Sequence, residues 1–453
     1  MEYFLLIVYF AILTYITILG IDKEKSDDSY FYNHRQTSWK SSLISIFATE
    51  TSVATILIFP AVGYEKNGSI IFLGLGYIVG RYLVSWFYLP HIHQLPSLSL
   101  YEGITTPKGK YVLSSAFLIA KYISGSVRFF LAGYAVSQIT QLPIVWNLIL
   151  MGFFVGIYSL SGGLRSVILT DQFQGGIMIL FGILVLLLFS FDGSFFVRLD
   201  ELNFSLSRSL FLFFGGILLT LSSHGADQDI LQRVLSVRKL DEAKRSLFTS
   251  GWVVFFVILI FFLIGYEISH EGEFDKKSPL LSYVLSIPHD LLLSLVLKNL
   301  FLVFVFAAAM STLDSTIHST GAIWKSLLRK FPWNFKNYFY SLISLVVMFS
   351  FSLVYIFYKK NQDFLSFALG MMNYVNGVLF TTTTLYILFR KPLSSKVIVL
   401  SIATNVTTTL ICEFFELYFA LTTIISFLTT FIVSTIGFLI LELIKKTKIQ
   451  TKI

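Results

Sequence analysis

The chain has 453 residues, 55% of them hydrophobic and only 13% charged, with a formal net charge of +8. A water-soluble chain of this length needs far more polar surface, so a soluble globular enzyme is excluded. Apolar runs of about 20 residues, the length that crosses a bilayer core, recur from end to end, and the alternation of a membrane β-barrel is missing.

In chain order the pattern predicts thirteen spans, near 2–21, 41–64, 69–91, 111–139, 142–160, 166–190, 207–224, 247–267, 291–324, 337–358, 363–389, 395–411 and 418–444. The first, "MEYFLLIVYFAILTYITILGI", lacks a basic leader and a small-residue cleavage site and reads as a retained span. Lys and Arg collect on alternate loops. With the N-terminus outside, twenty-three fall inside, among them Lys23, Lys25, Arg35, Lys108, Arg165, Arg233, Arg245, Lys325, Arg390 and the tail lysines. Seven fall outside: Lys66, Arg198, Arg208, Lys276, Lys277, Lys359 and Lys360. The positive-inside rule then places the C-terminus in the cytoplasm, and the excess charge is topological rather than a nucleic-acid footprint. No loop exceeds about 25 residues, so neither a soluble domain nor a catalytic head is expected. The lone Cys412 excludes an internal disulfide and cysteine-rich metal sites; it reads as a small apolar filler.

A charge at the centre of a span costs roughly 2.5–3.5 kcal/mol, so each one asks for a reason. Glu50, Arg128, Asp171 and Asp314 stand out. Arg81 and Lys121 lie nearer the depth at which a long side chain snorkels to the interface, and that is the expectation for them. His91 and His93 sit at a span end without a carboxylate cluster that would make a metal site.

The second span carries Ala48, Thr49, Glu50, Thr51, Ser52 and Thr55 at its centre. Such a patch serves either interhelical hydrogen bonding or a discontinuous helix whose freed carbonyls coordinate a cation. A comparable interruption is expected five spans later, at Gly215–Gly216, as paired broken helices of an inverted repeat would give. In the ninth span, "AAAMSTLDSTIHST", Ala308, Ser311, Thr312 and Ser315 share one helix face with Asp314 at its edge. Small residues and hydroxyls alone make a packing seam. A carboxylate in the same turn points instead toward a hard monovalent cation, which takes hydroxyl, carbonyl and carboxylate oxygens.

Three stretches then resemble one known family, the sodium:solute symporters, which includes proline, sugar and sialic-acid transporters. "SGGLRSVILTDQFQGGIMI" (161–179) is similar to the family's loop and fifth core helix, "GADQDILQRVLSVRKLDEAKRSL" (225–247) to its cytoplasmic loop before the seventh, and "AAAMSTLDSTIHSTGAI" (307–323) to its eighth. The resemblance implies an all-α LeuT-type fold of five-plus-five inverted repeats. Residues 1–40 would hold an extra N-terminal helix and loop, 41–190 and 207–390 the two repeats, and 395–453 two trailing helices with a cytoplasmic tail. It implies a general sodium site at Ala48, Thr51, Ala308, Ser311 and Thr312, and a second sodium at Asp171, Ser311, Asp314 and Ser315. Asp314 is a departure, since the sialic-acid branch has a hydroxyl there. Ser52, Thr55 and Arg128 match that branch's carboxylate-facing positions, Glu50 joins them as a substrate-binding candidate, and a guanidinium fork suits a carboxylate. Two ion pairs compete with these roles: Arg128 with Glu50, which would still line the cavity, and Asp171 with Arg165.

The expectation is a sodium-coupled symporter, not an enzyme, importing a small carboxylate such as sialic acid. It would act as a multi-pass monomer in a bacterial cytoplasmic membrane, its partners being Na+, the solute and lipid. A proton-coupled symporter of an amino acid, monocarboxylate or sugar, and a non-transporting solute sensor, stay open alternatives. The charge asymmetry predicts that a fluorescent protein fused after Ile453 is bright in cells, whereas alkaline phosphatase fused there is inactive. The reverse pair of readings would invert the topology.

Overall fold

The computed structural model describes residues 4–21, 26–93, 95, 97–190, 199–287, 292–330, 335–358 and 370–450. Among them the regular structure is helical, joined by three isolated β-bridges. Helix starts follow capping residues. Ser38 accepts from the Ser41 N–H at 3.1 Å and Thr106 from Gly109 at 3.3 Å, with Pro107 at the first helical position. The helices that build the centre are α1 (Phe4–Gly20), α2 (Trp39–Glu50), α3 (Val53–Tyr64), α4 (Ile71–Leu83), α5 (Pro107–Thr140), α6 (Ile144–Ser190), α7 (Leu206–Gly225), α8 (Gln228–Leu235), α9 (Leu240–Glu271), α10 (Leu292–Leu328) and α11 (Asn337–Tyr358). Helices α12 (Asn373–Phe389), α13 (Ser395–Phe414) and α14 (Phe419–Gln450) follow.

The described part of every expected span falls largely on helix; residues 2–3 of the first, 291 of the ninth and 363–369 of the eleventh lie outside the described residues, as do Lys23, Lys25, Arg198, Lys359, Lys360 and Lys452. Nine of the described helices are long and apolar enough to cross a membrane, and α2 with α3 forms one further candidate, a span bent by 68°. The fifth and sixth expected spans meet inside α6 at Gly163, where φ is +59° and ψ −155°. A Cβ there would stand 2.6 Å from the Tyr30 carbonyl, so both the backbone angle and the space call for glycine.

The bend between α2 and α3 arises at Thr51 and Ser52, whose ψ angles of 93° and 174° leave the helix. The chain restarts when the Ser52 N–H donates to Thr55 Oγ1 at 3.3 Å. The second expected interruption is corrected: α7 runs unbroken through Gly215–Gly216. Those glycines are a packing seam, with a Gly216 Cβ falling 2.7 Å from the Leu73 carbonyl on α4. The break in this part of the chain comes ten residues later, at Ala226–Asp227, where Ala226 has φ −145° and Asp227 caps α8 by accepting from the Asp229 N–H at 2.9 Å.

Helices α5 and α10 contain the most buried of the apolar spans and run through the middle of the bundle. Around them, backbones touch through glycine. A Cβ on Gly63 would lie 1.9 Å from the Phe262 carbonyl, and one on Gly265 would lie 1.9 Å from Pro60 O, so α3 and α9 meet without side chains between them. Gly265→Ala should therefore cost about 3 kcal/mol or more and lower the melting temperature in detergent, as overpacking against backbone does. Gly176→Ala, where a Cβ meets nothing within 4 Å, should be neutral or slightly stabilising in the same assay.

Candidate functional site

The end of α2 meets the middle of α10. Ser311 Oγ donates to the Ala48 carbonyl at 3.0 Å and lies 3.3 Å from the Ala308 carbonyl; Thr312 Oγ1 is 3.0 Å from Ala308 O and 3.4 Å from Thr49 O. Four of the five residues expected for the general sodium site, Ala48, Ala308, Ser311 and Thr312, are thus brought together, all of them buried. Thr51 stands at the break, 3% exposed, with its N–H on Phe47 O at 3.0 Å. Carbonyls and hydroxyls form an uncharged oxygen set, which fits a hard monovalent cation.

The other expected set, Asp171, Ser311, Asp314 and Ser315, also converges, but around a group that the sequence reading left in a cytoplasmic loop. Arg233 of α8 lies fully buried with Nη2 3.0 Å from Asp171 Oδ2 and 3.8 Å from Asp314 Oδ1, and it donates to Ser315 Oγ. Its Nε bonds to Ser45 at 2.8 Å and its Nη1 to the Asp229 carbonyl at 2.9 Å. Asp171 therefore pairs with Arg233 rather than Arg165. Asp171 Oδ1 and Asp314 Oδ2 keep no hydrogen-bond partner among the described residues.

Two snorkelling expectations are corrected in the same way. Lys121 is buried, 2.9 Å from Asp227 and 2.7 Å from Asp229, just where α7 breaks. Asp229 also accepts from Thr316 at 3.0 Å and from Ser319, which fastens α8 to α10. Arg81 is 1% exposed and pairs with Glu50, whose other oxygen contacts His224. Both side chains face partners across the bundle, where neutralising an acid serves better than reaching the interface. Glu50 is consequently held by α4 and α7, and Arg128 does not pair with it.

A small central cavity opens between α3, α5, α10 and α11, lined by Ser52, Val53, Arg128, Phe129, Thr312 and Met348 among others. Arg128 Nε has no hydrogen-bond partner there among the described residues. Thr55 stays with its own helix turn: its hydroxyl accepts from Ser52 N–H and lies 3.5 Å from Glu50 O. Arg233, Lys121, Asp227, Asp229 and His224 are the residues that sequence reasoning missed at this site. The signal for four of them lay in "SHGADQDILQR", where an aspartate directly before an amphipathic run marks a helix start, not a loop.

With this geometry in view, the comparisons with known proteins fall into place. The sodium/sialic acid symporter NanT of Aliivibrio fischeri is 24% identical over 371 residues, covering 72% of this chain and 69% of that protein. The sodium/sialic acid symporter SiaT of Proteus mirabilis is 24% identical over 359 residues, 72% and 70% of the two chains. Human sodium-coupled monocarboxylate transporter 1 is 25% identical over 352 residues, 70% and 56%. Among solved structures, the substrate-bound outward-open state of a Na+-coupled sialic acid symporter matches with a TM-score of 0.82 and 20% identity, over 96% of this chain and 97% of that one. MhsT in complex with L-phenylalanine matches with a TM-score of 0.56 and 13% identity, over 90% and 98%.

The fold is therefore of the LeuT type, all-helical among the described residues, with discontinuous helices at its centre. The model of the sodium:solute symporter family matches residues 30–196. That family and these relatives are transporters, not enzymes.

The buried charges yield a stability prediction. Lys121→Met leaves Asp227 and Asp229 without their cation and should cost about 3–5 kcal/mol, read as a large fall in melting temperature. A variant as stable as the parent would mean that the triad is not formed.

Proposed function

We propose that this protein is a sodium-coupled symporter that carries a small organic carboxylate across the bilayer by alternating access, with sialic acid the first solute to test. The observation that carries the reading is the junction of α2 with α10. There Ser311 and Thr312 hydroxyls reach the carbonyls freed at a helix break. Sodium is a co-transported substrate on this reading, held by the carbonyl oxygens of Ala48, Thr51 and Ala308 and the hydroxyls of Ser311 and Thr312. Taking those oxygens would join the half-helix to α10 and so favour one state of the transport cycle over the other. That differential affinity is what allows an ion gradient to drive a conformational equilibrium.

Arg128 is the residue for the solute carboxylate, with Ser52 beside it; the cavity lining and the unpartnered Nε support this. The relatives' names point to the same chemistry, because sialic acid and monocarboxylates share a carboxylate. The chain would work as a single multi-pass subunit in a bacterial cytoplasmic membrane, N-terminus outside. Residues 41–190 and 207–390 would form its two repeats.

The test is thermal unfolding of the purified protein in NaCl against KCl at equal ionic strength, with and without sialic acid. A ligand at a hundred times its dissociation constant stabilises by about 2.7 kcal/mol, so a sodium-specific rise of several degrees is expected. Ser311→Ala should raise the half-saturating sodium concentration about tenfold or more, the effect of losing one of few oxygen ligands. A protein that melts identically in both salts up to molar concentration would refute the reading.

A further inference from the structure

Glu50 takes no part in the proposed ion or solute contacts, yet three helices meet on its carboxylate. It is the last residue of α2. One oxygen pairs with Arg81 Nη2 on α4 and the other contacts His224 Nε2 in the last turn of α7. The imidazole is fixed from its far side by Ser223 Oγ, 2.8 Å from Nδ1. Arg81 is 1% exposed and His224 4%, so the tie is a built, interior one. Its cationic member, Arg81, has Gly251 of α9 directly against it, where a Cβ would lie 3.0 Å from Arg81 Cδ.

The position of the tie matters more than its strength. Helix α2 stops at Glu50 and α7 stops at Gly225, one residue after His224. The same carboxylate thus clamps the chain immediately before both helix breaks. The last four carbonyls of a helix have no partner within it, and their direction is free unless something outside holds the turn. The Ala48 carbonyl belongs to this last turn of α2. Two helix C-termini with their partial negative ends also converge here, and the buried guanidinium offsets them together with the acid.

We propose that Glu50, Arg81 and His224 are positioning residues for the coupling ion. They pin the terminal turn of α2 to the end of α7, so that the Ala48 carbonyl is aimed at Ser311 before sodium arrives and the two breaks move as one body. The inference rests on the sodium reading of the preceding subsection and adds three residues to it that touch neither ion nor solute.

The experiment is a sodium titration of thermal stabilisation on full-length purified protein, in NaCl made up to constant ionic strength with KCl. Removing one member of a buried pair strands the other, so the main variant is the double change Glu50→Gln with Arg81→Met, which removes both charges. It should melt within a few degrees of the parent in KCl alone, while its half-saturating sodium concentration rises about tenfold or more, the size of a coupling lost between neighbouring groups. A purely structural tie would do the reverse, lowering the melting point and leaving the titration alone. His224→Gln, which keeps the Glu50–Arg81 pair whole, should shift the titration in the same direction by a smaller factor, and it serves if the double variant fails to fold. Titrations within about twofold of the parent would overturn the proposal while leaving sodium coupling intact. A parent protein with no sodium response would instead overturn the symport reading and this inference with it.

Discussion

A helix that breaks inside a bilayer releases carbonyls and N–H groups that lipid cannot satisfy, and only another part of the protein can answer them. Here the α2–α3 break is answered by α10, whose hydroxyls at 311 and 312 reach the carbonyls of Ala48 and Thr49. That demand explains why α10 is hydroxyl-rich along one face and nearly free of exposed surface through its central residues. It also explains why the break is sharp. Thr51 and Ser52 leave helical geometry for two residues only, and Thr55 supplies the acceptor that restarts the chain. The same arrangement that satisfies the backbone leaves a ring of oxygens with no formal charge, and a cation can take these at little cost in desolvated counter-charge.

Charge in this interior follows a companion rule. Five acids near the centre of the bundle have a cation facing them: Glu50 has Arg81, Asp171 and Asp314 share Arg233, and Asp227 with Asp229 share Lys121. The pairs cluster where helices stop. Glu50 lies at the end of α2, and Asp227 and Asp229 at the start of α8. At the start of α8 the helix dipole favours Asp227 and Asp229, whereas at the end of α2 it disfavours Glu50, which leans on Arg81 instead. Ion pairs thus fasten the discontinuities to the long spans beside them, since Lys121, Asp171 and Asp314 meet these ends from the middles of α5, α6 and α10.

The sequence was most legible where the signal is periodic and local. Hydropathy placed the described part of each expected span largely on helix, and the face shared by Ala308, Ser311 and Thr312 follows from 3.6-residue spacing alone. The bend after Glu50 was legible too, from polar residues with weak helix propensity in an aliphatic run. Glycine pairs misled, because close packing and interruption use the same residue. Gly215–Gly216 lets α4 and α7 touch, and the chain breaks further on, where Asp227 offers a cap. Partnerships between charges were the least legible. Lys121 and Asp227 are 106 residues apart, as distant in sequence as their contact is close, and no pattern along the chain ranks Arg233 above Arg165 as the partner of Asp171. Pairing is decided by which helices pack together, and that is a property of the fold.

Arg233 changes what such a site can do electrically. A guanidinium among the oxygens of Asp171, Asp314 and Ser315 is a charge that belongs to the protein and returns with it on every cycle, whereas a sodium ion at that place would be delivered. On the proposed reading, one sodium with one monovalent carboxylate moves no net charge. The membrane potential, worth about 2.3 kcal/mol per charge per 100 mV, then adds nothing to accumulation. Driving force would come from the sodium gradient alone. A second sodium would restore a potential-driven term, but it would have to compete with a guanidinium already hydrogen-bonded on all three of its nitrogens. Two carboxylates face that one guanidinium, and Asp171 Oδ1 with Asp314 Oδ2, unpartnered among the described residues, are the oxygens such an ion would have to use.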